Sequence, residues 1–290
     1  MAATVECAVE TIKQLLDDLS GLPGDTPRLD AQLLLSFALR KPRTFLFAYP
    51  EYRLSGLTFE KYQALRSQRE AGVPLAYLLK KREFWSLELD VDERVLIPRP
   101  DTETLIQLAL DCRMPRQALV ADLGTGSGAI ALALASERPQ WTVHAVDNSL
   151  DALCVARKNA SKLNLENVTW QEGSWFDPLT AQGYALVVSN PPYLAAHDEH
   201  FTRGDLRYEP ASALVSGVTG LEALQTIIDD APEYLTRDGL LLLEHGCDQG
   251  QSIRDLLRKR GFQAVQTHRD MSGLERVSAG RWCGEQFHAG

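Results

Sequence analysis

The chain has 290 residues, 44% of them hydrophobic, enough apolar side chain for one large domain or two smaller ones and too much for a disordered protein. Its formal net charge of -9 is unevenly placed: residues 1 to 82 hold 12 Lys and Arg against 9 Asp and Glu, whereas residues 83 to 290 hold 18 against 30, so a long polyanion is not the natural partner of the larger part. Cys7, Cys112, Cys154, Cys247 and Cys283 form no Cys-x-x-Cys pair and His197, His200, His245 and His268 show no ligand spacing, so neither a disulfide framework nor a metal site is expected.

The first stretch, MAATVECAVETIKQLLDDL, carries acids where a signal peptide needs an apolar core, and no apolar run approaches the ~18 residues that span a bilayer. A soluble monomer in a reducing cytoplasm, with no membrane partner, is the expectation. From residue 8 to 82 the apolar spacing is helical, as in LDAQLLLSFAL and FEKYQALRSQREAG, with breaks at GLPGDTP, RKPR and YPEYRLSG, which marks 1–82 as a small helical domain. FWSLELDVDERVLIP alternates apolar and polar residues and reads as a hairpin or extended connector over 83–100. Pro98 and Pro100 stop it, and Asp101 is placed to cap a helix beginning near Thr102, which opens a third segment, 101–290.

In that segment strands alternate with helices: ALVADLG and a helix from about 128, WTVHAVD and LDALCVARKNASKL, NVTWQEG, YALVVSN and a helix near 221 to 235, then GLLLLEHG and DQGQSIRDLLRKRG. Nearly continuous apolar strands in such an order predict an α/β fold, a parallel sheet covered on both faces. The tail FQAVQTHRDMSGLERVSAGRW holds two strand-like runs with no helix between them, so an antiparallel edge pair is expected to close the sheet.

ADLGTGSGAIALALA places Gly124, Gly126 and Gly128 where a strand turns into a helix, and glycine lets the backbone approach a ligand closely there. Asp147 ends the next strand, 19 residues beyond Gly128, where a carboxylate accepts from both ribose hydroxyls. The pair indicates a nucleoside cofactor, against the plainer alternative of a tight turn and a helix cap. Gly126-x-Gly128-x-x-Ala131 also satisfies a dinucleotide fingerprint, which keeps a dehydrogenase open. The form Asp122-x-Gly124-x-Gly126-x-Gly128 resembles the loop of class I S-adenosylmethionine (SAM) methyltransferases, and an acid at the loop's mouth suits an ammonium and a sulfonium better than a pyrophosphate. In that superfamily the loop corresponding to EGSWFDPL holds the adenine. Trp175 or Phe176 would then stack on the ring and Asp177 or a nearby amide would take its amine, with core packing expected of at least one aromatic.

The strand YALVVS runs into Asn190-Pro191-Pro192-Tyr193 at its carboxyl end, where ligands collect in an open parallel sheet. An amide or ring nitrogen is a poor nucleophile because its lone pair is delocalised, so it must be turned and its hydrogens held. The Asn190 carbonyl and the Pro191 backbone carbonyl offer two acceptors for one NH2, and the prolines stiffen the loop and add no competing donor. Tyr193 would lie against the flat group. An Asn-Pro turn is the bland alternative.

Six runs in order, LIPRPDTETLI, DLGTGSGAIAL, AVDNSLDAL, SNPPYL, RYEPASALVSGVTGLEAL and LLLEHGCDQG, are together similar to the HemK/PrmC family of peptide chain release factor glutamine methyltransferases, over essentially the whole chain. The resemblance implies a class I SAM-dependent (Rossmann-like) sheet with a small N-terminal helical domain, SAM as donor, S-adenosylhomocysteine as product, and as substrate the glutamine N5 in the Gly-Gly-Gln loop of class 1 release factors. It further implies that Gly124, Thr125, Gly126, Ser127, Gly128, Asp147, Trp175 and Asn190 contact the cofactor and that Asn190, Pro191, Pro192 and Tyr193 hold the glutamine. Arg99 and Glu103 receive no role beyond shaping the cleft, and the mildly basic helical domain is expected to grip the release factor. The competing activities are a nucleic-acid N-methyltransferase, for which the acidic catalytic part lacks a basic groove, and a SAM-binding regulator, which has no use for Asn-Pro-Pro-Tyr.

Overall fold

The computed structural model describes residues 10–198 and 204–284; Cys7 and His200 lie outside them. The chain divides into two compact units, Met1–Lys80 and Lys81–Gly290. Among the described residues no helix is long and apolar enough to cross a membrane.

The first unit is helical: α1 (Ile12–Asp17), α2 (Pro27–Leu39), α3 (Arg43–Ala48), α4 (Gly56–Glu70) and α5 (Leu75–Leu79). Thr11 and Gln14 form a reciprocal capping box that starts α1, and Pro27 opens α2, where its missing N–H costs nothing. Ile12, Leu15, Leu34, Leu35, Leu46, Leu54 and Tyr62 close into one core. Within it, Arg69 of α4 meets Asp30 of α2 at 2.7 Å, both side chains at most 10% exposed.

The second unit begins with a hairpin, β1 (Lys81–Phe84) and β2 (Leu87–Asp90), joined by Trp85 and Ser86, both at positive φ as a two-residue turn of matching twist requires. There follow a 3-10 turn, Pro100–Thr102, and then α6 (Glu103–Asp111), β3 (Leu119–Leu123), α7 (Ala129–Glu137), β4 (Thr142–Asp147), α8 (Leu150–Leu163), β5 (Val168–Glu172), β6 (Tyr184–Ser189), α9 (Glu222–Tyr234), β7 (Leu235–Glu244), α10 (Gly250–Arg260), β8 (Gln263–Arg269) and β9 (Glu275–Trp282). Asp101 therefore does not cap α6. It sits inside the 3-10 turn, because Pro100 starts the turn one residue early, and its carboxylate reaches Arg276 at 3.5 Å.

The seven strands run in the order β5-β4-β3-β6-β7-β9-β8, parallel from β5 to β7, with β9 antiparallel to both neighbours. The expected antiparallel pair is present, its second strand inserted between β7 and β8. Along β7, Leu240 and Leu242 enter one core with Leu105, Ile106 and Leu132, while Leu241 and Leu243 enter the opposite core with Leu224, Ile227 and Ile253. That period of two is why the strand is apolar on both faces. Strand order reverses between β3 and β6, so a crevice opens at their carboxyl ends.

Asn159 of α8, fully buried, holds the approach to that crevice together. Its Oδ1 accepts from Asp90 N at 2.7 Å, and its Nδ2 donates to Asp90 O and to Ser127 O, each at 3.0 Å. One side chain thus fastens the hairpin to the glycine loop. Asn159→Ala leaves three backbone groups without partners and is expected to cost about 1–3 kcal/mol of stability, read as a lowered urea midpoint with unchanged slope.

Candidate active site

A cavity of about 450 Å³ occupies the crevice, within the ordinary range of small-molecule sites. Gly124, Gly126, Asp147, Trp175, Asn190 and Pro192 all reach its wall. Four chain segments far apart in sequence meet there because β5, β4, β3 and β6 are adjacent and parallel.

The glycine loop is shaped from within. Gly124 and Thr125 both donate to Val146 O at 2.9 Å, and Gly126 donates to Asp147 Oδ2 at 2.9 Å. Gly126 has φ +55 and open space where a Cβ would stand, so a ligand meets bare backbone. Gly128, φ +83, begins α7; a Cβ there would lie 3.1–3.2 Å from Leu132, Ala156 and Trp170, so this glycine serves packing of α7 against α8 and β5. Thr125 and Ser127 are buried, support the loop and do not reach the cavity wall.

Asp122 departs from the position expected of it. It is wholly buried beneath the loop, where Oδ2 accepts from Thr125 Oγ1 at 2.6 Å and from Ala131 N at 3.1 Å, and Oδ1 has no partner. Burial pushes its carboxyl up to about 7, with the nearby Asp147 adding to the shift. Asp147 itself accepts one backbone N–H on each oxygen, from Gly126 and from Ser149, both at 2.9 Å, and burial raises its pKa. A carboxylate has about four lone-pair sites, so two remain for a pair of hydroxyls.

The two aromatics after β5 separate. Phe176 is 2% exposed and stacks on Tyr234, ring centroids 4.5 Å apart, inside the core. Trp175, at φ +48, turns the other way and lines the cavity with Ser174, whereas Asp177 is exposed and does not.

At the end of β6, Ser189 Oγ donates to Leu123 O at 2.6 Å and locks the strand to β3 just before Asn190. Gln249 Nε2 then donates to Tyr193 O at 3.0 Å, and Leu194 forms a bridge with Val215. The Asn-Pro-Pro-Tyr segment is thereby held at both ends. Asn190 and Pro192 face the cavity, while Pro191 is buried and Tyr193 packs against the core, where burial raises its phenol well above its usual range.

Several residues carry the site without having been assigned a part. Glu209, 5% exposed, accepts from Ile97 N at 3.0 Å and from the Arg99 guanidinium, which ties residues 210–216, part of the cavity wall, to the segment before α6. Glu103 accepts from Trp85 N and so fixes the hairpin turn. Glu244, 1% exposed at the end of β7, stands beside Thr102 and Asn190, and burial pushes its carboxyl up to about 7. A charged residue closing an apolar strand was the only sign of it.

These groups decide what the cavity suits. The arginine on its wall, Arg94, is already held by Asp92 at 2.7 Å, Arg99 by Glu209, and Arg276 by Asp270 at 3.2 Å. Asp147 lines the cavity instead, and the carboxyls of Asp122 and Glu244, both raised by burial, lie behind its wall. A pyrophosphate would face the Asp147 carboxylate with the neighbouring arginines already paired, whereas the cation of SAM meets attraction there. The open loop at Gly126, the two free acceptor sites of Asp147 and the Trp175 ring fit its nucleoside.

Comparison with known proteins agrees with this geometry. Residues 100–209 match the Methyltransferase small domain and residues 10–79 match the PrmC N-terminal domain. A release factor glutamine methyltransferase of Vibrio cholerae is 45% identical over 284 residues, 97% of this chain and 98% of that protein. One of Pseudomonas aeruginosa is 48% identical over 274 residues, 94% of this chain and 99% of that protein. A methyltransferase structure from Pyrococcus furiosus shares the fold at 17% identity, with a TM-score of 0.53, covering 78% of this chain and 100% of that one. The chain belongs to the release factor glutamine methyltransferase family.

Proposed function

We propose that this enzyme methylates the side-chain N5 of the glutamine in the Gly-Gly-Gln loop of class 1 release factors, and that the cavity at the β3–β6 crevice is where it does so. It is a SAM-dependent methyltransferase acting on release factor glutamine, as its family membership establishes. The observation that supports the finer reading is the presence of Asn190 on the same cavity wall as Asp147, Gly126 and Trp175. A methyl acceptor offered to Asn190 is then within reach of a nucleoside donor held by the other three.

Asp147 would receive the ribose hydroxyls, Gly124 and Gly126 would let the methionyl part pass close to the backbone, and Trp175 would cover the adenine. SAM supplies a methyl carbon on a sulfonium, which becomes bonded to the amide nitrogen as the sulfur departs as a neutral thioether. The chain's own task is to hold the amide. Asn190 Oδ1 accepts one hydrogen of the substrate NH2, which turns the nitrogen's remaining density toward the methyl group; Pro191, expected to offer the second acceptor, is buried beside it and off the cavity wall. Such alignment contributes about 7–11 kcal/mol to lowering the barrier, and the surplus proton leaves to solvent after transfer. Pro192 stiffens the segment and Tyr193, seated on the core, anchors its end; in this arrangement the tyrosine supports the socket from behind. Recognition of the release factor needs more surface than one glutamine offers, and the helical unit is proposed to supply it.

Asn190→Ala is expected to keep SAM affinity within a few-fold while lowering kcat by about 10²–10³, the effect of deleting one preorganised hydrogen-bonding group; stopped-time assays with purified release factor and labelled SAM measure it. Mass spectrometry of the product locates the methyl group on the glutamine, and a methyl found on RNA or DNA offered in parallel would refute the assignment. Asp147→Ala should weaken SAM binding roughly 10- to 100-fold by calorimetry, since hydrogen bonds to a charged group are worth about 1.5–3 kcal/mol. Removing residues 1–80, which spares the β1–β2 hairpin, should leave SAM binding intact and abolish methylation of the intact factor; equal rates would dismiss the recognition role.

A further inference from the structure

An Asn side chain can present either end of its amide to a ligand, and the choice is made by what lies behind it. Behind Asn190 stand two residues from distant parts of the chain. Thr102, 4% exposed, closes the 3-10 turn before α6, and its Oγ1 accepts from Asn190 Nδ2 at 3.3 Å. Glu244 lies one residue past the Leu243–Ser189 register pair, hence beside Asn190 across the β6–β7 ladder. It is 1% exposed and its Oε2 has no hydrogen-bond partner. Thr102 and Asn190 adjoin its carboxyl and offset part of the effect of burial on it.

An ionised carboxylate only accepts, and Thr102 Oγ1 already accepts from Asn190 Nδ2; were its single hydroxyl hydrogen given to that carboxylate, only lone pairs would be left for its other neighbours. The wall behind Asn190 then accepts hydrogen bonds and gives none. The NH2 end of the amide belongs there, and the oxygen is turned to the cavity. We propose that Glu244, acting with Thr102, is a positioning residue that sets the Asn190 amide with Oδ1 toward the cavity, the end that receives the substrate's NH2. This inference rests on the reading of Asn190 as that acceptor. With the amide reversed, N–H groups would face N–H groups and the substrate would lose its acceptor. The 3.3 Å separation is long, as such bonds often are before substrate tightens them, and the orphaned Oε2 is the acceptor left for the second amide hydrogen.

The protonation state of Glu244 bears on the same point. The charged and titratable groups around it are Arg276 from β9, which favours its ionised form, Asp101 from the 3-10 turn, which opposes it, Tyr193 beyond β6, and the adjoining His245, whose own pKa burial lowers. Burial outweighs these and brings the carboxyl up to about 7. When protonated it carries an O–H that can be given to the amide oxygen, which permits the reversed orientation. Turnover should thus fall as the pH drops through that value.

The test uses the full-length enzyme with purified release factor, measuring kcat across pH and SAM affinity for Glu244→Gln, Asn190→Ala and the double variant. Glu244→Gln should lower kcat about tenfold or more, toward the 10²–10³ of losing the group outright, with SAM affinity unchanged as the sign of an intact fold. It should remove the part of the acidic limb of the kcat profile that belongs to Glu244, leaving any that Asp122 and Asp147 contribute, and add nothing to Asn190→Ala, because it acts only through that amide. Thr102→Val should slow turnover and Thr102→Ser recover most of the loss. Losses that multiply in the double variant, or an acidic limb identical in Glu244→Gln and the unaltered enzyme, would overturn the positioning role while leaving the Asn190 reading in place. A fully active Asn190→Ala would instead remove the reading beneath it, and this inference with it.

Discussion

The site depends on the parallel pairing of β3 with β6. These two strands are in register from Val120 and Leu186 to Leu123 and Ser189, and the Ser189 hydroxyl bonds back to the Leu123 carbonyl at the last step. Past that point the chains leave in different directions, one into the glycine loop and α7, the other into Asn-Pro-Pro-Tyr. A slip of one residue would turn Asn190 off the cavity and bring Ser189 or Pro191 to its place, since side chains alternate along a strand. Burial on both faces of β6 forbids the slip, because all six of its residues are buried.

Around this pair the protein places carboxyl groups where ordinary domains avoid them. Asp122 and Glu244 are almost inaccessible, each with one oxygen lacking a partner, and both have carboxyls raised to about 7. Their burial opposes stability, and nothing in the hydrophobic cores calls for it. They lie under the glycine loop and behind Asn190, on two sides of a cavity suited to a cationic ligand. The arginines nearby are each occupied by Asp92, Glu209 or Asp270, so the acidity of the site is not cancelled by its own surroundings.

Much of this architecture was legible in the sequence because it is written locally. The alternation of apolar strands with helical runs placed the parallel sheet, and glycines at a strand-to-helix turn placed the loop. Asn190 fell at a strand's carboxyl end without any knowledge of its neighbours. What escaped was contact across distance. Asn159 joins groups 69 and 32 residues away, and Glu209 reaches back 110 residues to Arg99. No periodicity encodes such partners. Trp175 and Phe176 were indistinguishable by type, and only the positive φ of Trp175 separates the one in the cavity from the one in the core. Tyr193 and Asp122 were placed one layer too far outward, since a motif gives the order of residues and not the direction in which each side chain leaves the backbone.

The bonds from Gly126 and Ser149 to the two oxygens of Asp147 have a further effect. They span the chain's own loop and its own carboxylate, so the conformational freedom of that loop is surrendered when the protein folds rather than when a nucleoside docks. Association then carries little ordering cost on this side of the cavity.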